Sequence, residues 1–136
     1  MGNNITILDV TKTALNFFCE ETENLLEKGY ANLHVDVSLS DLRDDESLKA
    51  AYINFSAFIS SMPFEEVEDL EKVEAKIKIT HRMIFNSTMN IENIEEAEVL
   101  LNIEPFIRRE VLVFCAEVGI PPIPLPYRFW ENEKKD

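Results

Sequence analysis

The clearest pattern in the chain is a strict alternation over residues 73–85. Val73, Ala75, Ile77, Ile79, His81, Met83 and Phe85 fall on one side, and Glu74, Lys76, Lys78, Thr80 and Arg82 on the other. A period of two over so long a run predicts a strand with one buried and one solvated face, as an antiparallel sheet allows. Leu33, Val35, Val37 and Leu39 alternate with His34, Asp36, Ser38 and Ser40, which predicts a second strand. Residues 48–60 alternate again, with Ala51, Ile53, Phe55, Ala57 and Ile59 on one face. The polar run 41–47 between these two reads as a turn, so they form a hairpin. Pro63 ends the later strand, and the acidic stretch 64–72 reads as a loop or a loose helical turn.

The period then changes. Residues 91–102 read as a short helix, with Ala97, Leu100 and Leu101 apolar. Pro105 suits the first turn of a further helix, where the missing N–H is tolerated. Ile103, Ile107, Val111, Phe114 and Val118 recur at helical spacing as one apolar stripe. Gly119 follows as a C-terminal cap, and Pro121 and Pro122 forbid continuation. The tail alternates prolines with Ile123, Leu125, Tyr127, Phe129 and Trp130. Such a tail forms no helix and donates few sheet hydrogen bonds, yet it lays apolar side chains along a surface. The start of the chain has two readings. Residues 5–10 look like a strand. Residues 11–28 fit a helix whose face is Ala14, Leu15, Phe18, Cys19, Thr22, Leu25 and Leu26, capped by Gly29, or a continued strand and a crossover loop. Strands followed by late helices give an α+β class.

Length and charge narrow the picture. A chain of 136 residues with 46% hydrophobic content suits one domain, 1–136, with a core. No run of 18 apolar residues spans a membrane, and the opening MGNNITILDV has no secretory character. MGNNIT loosely fits a myristoylation pattern, without a polybasic segment to support it. A net charge of −13 argues against nucleic acid and against stable membrane association. Cys19 and Cys115 lie in apolar surroundings, which favours buried thiols over a disulfide framework and agrees with a reducing cytoplasm.

The residues offer no catalytic constellation. The three glycines, at positions 2, 29 and 119, build no phosphate loop, so no nucleotide cofactor is implied. His34 and His81 sit on different strands without partners at ligand spacing, which predicts no metal. The acid pairs Asp44–Asp45, Glu65–Glu66 and Glu95–Glu96 lie in polar runs, whereas acid–base work needs burial that separates two pKa values. No nucleophile motif appears. The expectation is a protein that is not an enzyme and that binds through exposed apolar surface. Lys76, Lys78 and Arg82 form a local basic face, as do Arg108 and Arg109; pairing with acids is the simpler role for both. Arg108, at the expected helix start, needs a nearby carboxylate.

The layout Pro105, Phe106, Arg108, then Gly119, Pro121, Ile123 and Leu125, then Pro126 and Phe129 or Trp130, resembles the end of the SecB family of protein-export chaperones. Arg109 stands where the family carries an acid, with Glu110 one place later. Weaker similarity reaches back to about Ala31. The resemblance implies a four-stranded antiparallel sheet with helices packed on one face, and a first strand running to about Cys19. It implies a dimer of dimers, and one sheet with few helices leaves apolar surface that an oligomer would cover. It further implies an ATP-independent holdase for unfolded or precursor polypeptides. The peptide-binding residues would be Leu25, Leu26 and Tyr30 in the crossover segment, and Tyr127, Phe129 and Trp130 in the tail. After Trp130 only ENEKKD remains, so the family's second long helix and metal-binding tail are expected to be missing. That departure suggests a chaperone dedicated to one client, such as an antitoxin. The alternative is a SecB-fold adaptor without general chaperone activity.

Overall fold

The computed structural model describes residues 5–19, 32–45, 48–119 and 125. Four strands, β1 (Ile5–Cys19), β2 (Asn32–Asp45), β3 (Leu48–Ser60) and β4 (Ala75–Ser87), precede one helix, α1 (Glu96–Val118). Short 3-10 turns occupy Phe64–Glu66, Leu70–Lys72 and Ile91–Asn93. The strands form one antiparallel sheet in the order β1-β4-β3-β2, so β1 and β2 are its two edges. This is the expected α+β architecture, a four-stranded antiparallel sheet with its helix on one face.

Cross-strand register fixes what each face carries. Leu33, Val35, Val37 and Leu39 stand opposite Ile59, Ala57, Phe55 and Ile53. Those stand in turn opposite Ala75, Ile77, Ile79 and His81. Seven α1 residues, Val99, Leu100, Ile103, Ile107, Val111, Phe114 and Cys115, are buried against this layer. The β3 and β4 members are almost wholly buried, whereas the β2 members are only partly covered.

β1 reads as a strand to Cys19, which removes the helical alternative for its residues. Two bulges explain its blurred period. Register shifts at Leu8 and Thr13 each insert one residue. Ile5, Ile7, Val10, Lys12, Leu15, Phe17 and Cys19 thus share the helix side despite uneven spacing.

The expected turn at 41–47 is mostly strand. β2 runs on to Asp45, and only residues 46–47 separate it from β3. A bulge between Ser40 and Arg43 carries Asp41 at φ 55°, a left-handed conformation that Asp tolerates. The extra residue changes the phase, so Leu42 rather than Asp41 packs against the core.

α1 also differs from expectation. Residues 91–102 are not a separate helix: a 3-10 turn at Ile91–Asn93 leads into one helix of 23 residues. Pro105 lies inside that helix, not at its start. The proline leaves the Leu101 carbonyl without its usual donor, and both residues lie on the exposed side, where water can replace the bond. Gly119 does end the helix as expected, in the left-handed region at φ 79° with its N–H donated to the Cys115 carbonyl.

Candidate functional site: exposed apolar surface around an edge strand

Burial of the helix face is incomplete along β1. Leu15 and Phe17 belong to that face by register, opposite Ile79 and Ile77, yet they are 46% and 52% exposed. Leu8 projects from its bulge at 52% exposure, and Phe18 is exposed on the opposite face. α1 carries its own exposed apolar residues, Leu101, Phe106, Leu112 and Val113, flanking the buried stripe. Large exposed side chains gathered along one edge strand and one helix mark an interaction surface.

Between β1 and α1 lies an apolar groove of about 210 Å³. Leu15, Phe17, Ile77, Val113 and Phe114 line it, with Lys12, Glu110 and Glu117 as its polar members. Phe17 meets Phe114 edge-on, with centroids 5.7 Å apart and planes at 67°. Lys12 reaches Glu110 at 2.9 Å. His81, opposite Lys12 in the sheet, is buried. Burial lowers its pKa, Glu110 works against that, and Lys12 reinforces it.

The other side of α1 meets Leu125. Arg108 donates to the Leu125 carbonyl at 2.9 Å and pairs with Glu104 one turn earlier. Leu125 is buried in the core cluster. Arg108 therefore lies mid-helix, has the carboxylate its charge requires, and bonds the Leu125 backbone.

The outer face of the sheet is polar and partly basic. Lys76 lies 5.6 Å from the Phe18 ring centroid and Lys78 lies 5.8 Å from that of Phe58. Arg82 approaches Asp9 at 3.8 Å. His34 bonds Asp36 at 3.1 Å and packs between Phe58 and Phe64. Among the described residues, no three His, Cys, Asp or Glu side chains gather as a metal site, and no helix is long and apolar enough to cross a membrane.

All six residues expected to bind peptide, Leu25, Leu26, Tyr30, Tyr127, Phe129 and Trp130, lie outside the described residues. The groove residues Leu15, Phe17, Val113 and Phe114 were not among the candidates. Their signal was present: Leu112 and Val113 fall outside the buried stripe of α1, and Phe17–Phe18 puts one aromatic on each face of an edge strand.

The architecture is a SecB-like fold. It matches a SecB-like chaperone of Mycobacterium tuberculosis, solved in complex with a ChAD peptide from the antitoxin HigA1, with a TM-score of 0.57 at 14% identity, over 91% of this chain and 90% of that one. A protein of unknown function from Streptococcus agalactiae aligns over 90% of this chain and 97% of its own at 16% identity, with a TM-score of 0.43. No protein-family model and no curated protein matches the sequence.

Proposed function

We propose that the chain is a SecB-like, ATP-independent chaperone that holds non-native polypeptides as a homo-oligomer in the cytoplasm. The observation that carries this reading is a SecB-like fold with extensive apolar side chains left exposed on β1 and α1 in a chain of net charge −13. Apolar contacts supply affinity, several subunits acting on one client add avidity, and the acidic surround favours basic segments. The solved SecB-like chaperone carries an antitoxin peptide. That supports a client of the same kind here, a single dedicated partner as much as precursors for export.

Two surfaces divide the work in this reading. The edge of β1 and the adjoining groove suit a second copy of the chain, because a long edge strand with exposed Leu and Phe is otherwise a hazard. Leu25, Leu26, Tyr30, Tyr127, Phe129 and Trp130 remain the proposed client residues.

The test is suppression of aggregation of several unfolded clients without nucleotide. The chain should slow aggregation, and Tyr30→Ala with Trp130→Ala should weaken the effect, each buried aromatic being worth roughly 1.5–3 kcal/mol. A double variant that stays oligomeric and protects as well as the parent removes those two residues from the client site. Failure of the parent on every client rules out a general holdase and leaves the dedicated-partner reading.

A further inference from the structure

Cys19 and Cys115 are the chain's two cysteines, and the fold brings both to one corner. Cys19 closes β1 and stands opposite Ala75, which is wholly buried on the helix side of the sheet. Cys115 lies in the last turns of α1, inside the apolar cluster against which Cys19 packs. The side chains just before them already touch. Phe17, one step back on the same face of β1, meets Phe114, the residue before Cys115. Burial raises the Cys19 thiol pKa, and the neighbouring Cys115 raises it further.

We propose that Cys19 and Cys115 are a redox-sensitive pair that closes into a reversible intramolecular disulfide, clamping the last turns of α1 to the end of β1. Cys19, the more exposed of the two, supplies the first thiolate. It attacks one sulfur of a small-molecule disulfide such as glutathione disulfide and expels one thiolate. Cys115, as thiolate, then attacks the Cys19 sulfur and expels the second. The protein gives up two protons and two electrons, and the oxidant takes them up as two thiols. The raised Cys19 pKa slows the first attack, so the pair stays reduced until the oxidant is abundant. Closing the bond requires a Cα separation of roughly 4.4–6.8 Å between the two residues.

The clamp matters because of where it lies in sequence, and this consequence rests on the client-binding reading above. Cys19 leads directly into the segment of Leu25, Leu26 and Tyr30, and Cys115 stands just before the tail of Tyr127, Phe129 and Trp130. One bond would fix the roots of both proposed client segments and slow client release.

The experiment uses the full-length native protein treated with glutathione disulfide. The expected product is a monomeric chain lighter by two hydrogens, with one peptide pair joined through Cys19 and Cys115 and restored by a dithiol. Glutathione adducts that persist, disulfide-linked oligomers, or no reaction while the urea-unfolded chain does react would each overturn the pair. Dissociation of a fluorescent unfolded polypeptide is then followed for the reduced, oxidised and treated Cys19→Ser proteins. Release several-fold slower for the oxidised protein alone is expected. Equal rates with the bond formed overturn the clamp's effect on clients. A bond that forms in a protein that binds no client in either state overturns the client reading and leaves the thiol pair standing.

Discussion

His81 sits on the helix side of β4 at 3% exposure, and its Nδ1 has no hydrogen-bond partner among the described residues. The charged groups that face it are Lys12 of β1 and Glu110 of α1. Desolvation holds its pKa below the ordinary value of 6.5. Because the folded pKa is depressed, the unfolded chain takes up more protons as pH falls through that range. The contribution of His81 to stability is therefore full above about pH 6.5 and is lost as pH falls below it. His81→Leu should flatten this part of the profile, measured as the urea midpoint between pH 7.5 and 5. Parallel profiles for the two proteins would show that His81 is not responsible. Alternation in the sequence placed His81 on the apolar face. It could not place Lys12 and Glu110 beside it, because that meeting depends on the bulge at Thr13 and on the docking of a helix distant in sequence.

At the scale of elements, the sequence was most legible where periods ran clean. β3 and β4 appear at nearly their expected bounds, and the buried stripe Ile103, Ile107, Val111 and Phe114 is the one seen. Legibility failed where one residue shifted the phase or where packing overrode a local preference. Asp41 looked like a turn residue, and it serves as a bulge inside β2. Pro105 looked like a helix start, and it lies in the middle of α1. The helix accepts it because seven buried residues hold its inner face, while Pro105 itself points to water. An interior proline costs about 3 kcal/mol relative to alanine, less the roughly 0.4–1 kcal/mol it saves by restricting the unfolded chain. Pro105→Ala should thus stabilise the protein by about 2 kcal/mol, seen as a higher urea midpoint with an unchanged slope. An unchanged midpoint would mean that the helix is already shaped around the missing bond.

At the scale of the whole molecule, the described residues form a sheet covered by one helix, with apolar side chains exposed along β1. Composition and resemblance pointed toward assembly, whereas the particular margin became visible only once register showed Leu15 and Phe17 facing the helix side of an edge. If that margin is where copies meet, Phe17→Asp should shift light scattering toward the monomer mass while far-UV dichroism is retained. A variant that keeps the parent's mass would move the contact elsewhere. The two borders of the sheet are unlike in a way that limits growth. β1 offers Leu8, Leu15, Phe17 and Phe18, whereas β2 carries Asp41, Arg43 and Asp44 near its end beside a kinked ladder. A ribbon that met its neighbour head to tail would join these mismatched borders and could lengthen without end. Meeting border to like border consumes both sticky margins at once and turns the charged ones outward. If copies do meet along β1, the charged border of β2 is a built-in stop signal against becoming a fibre.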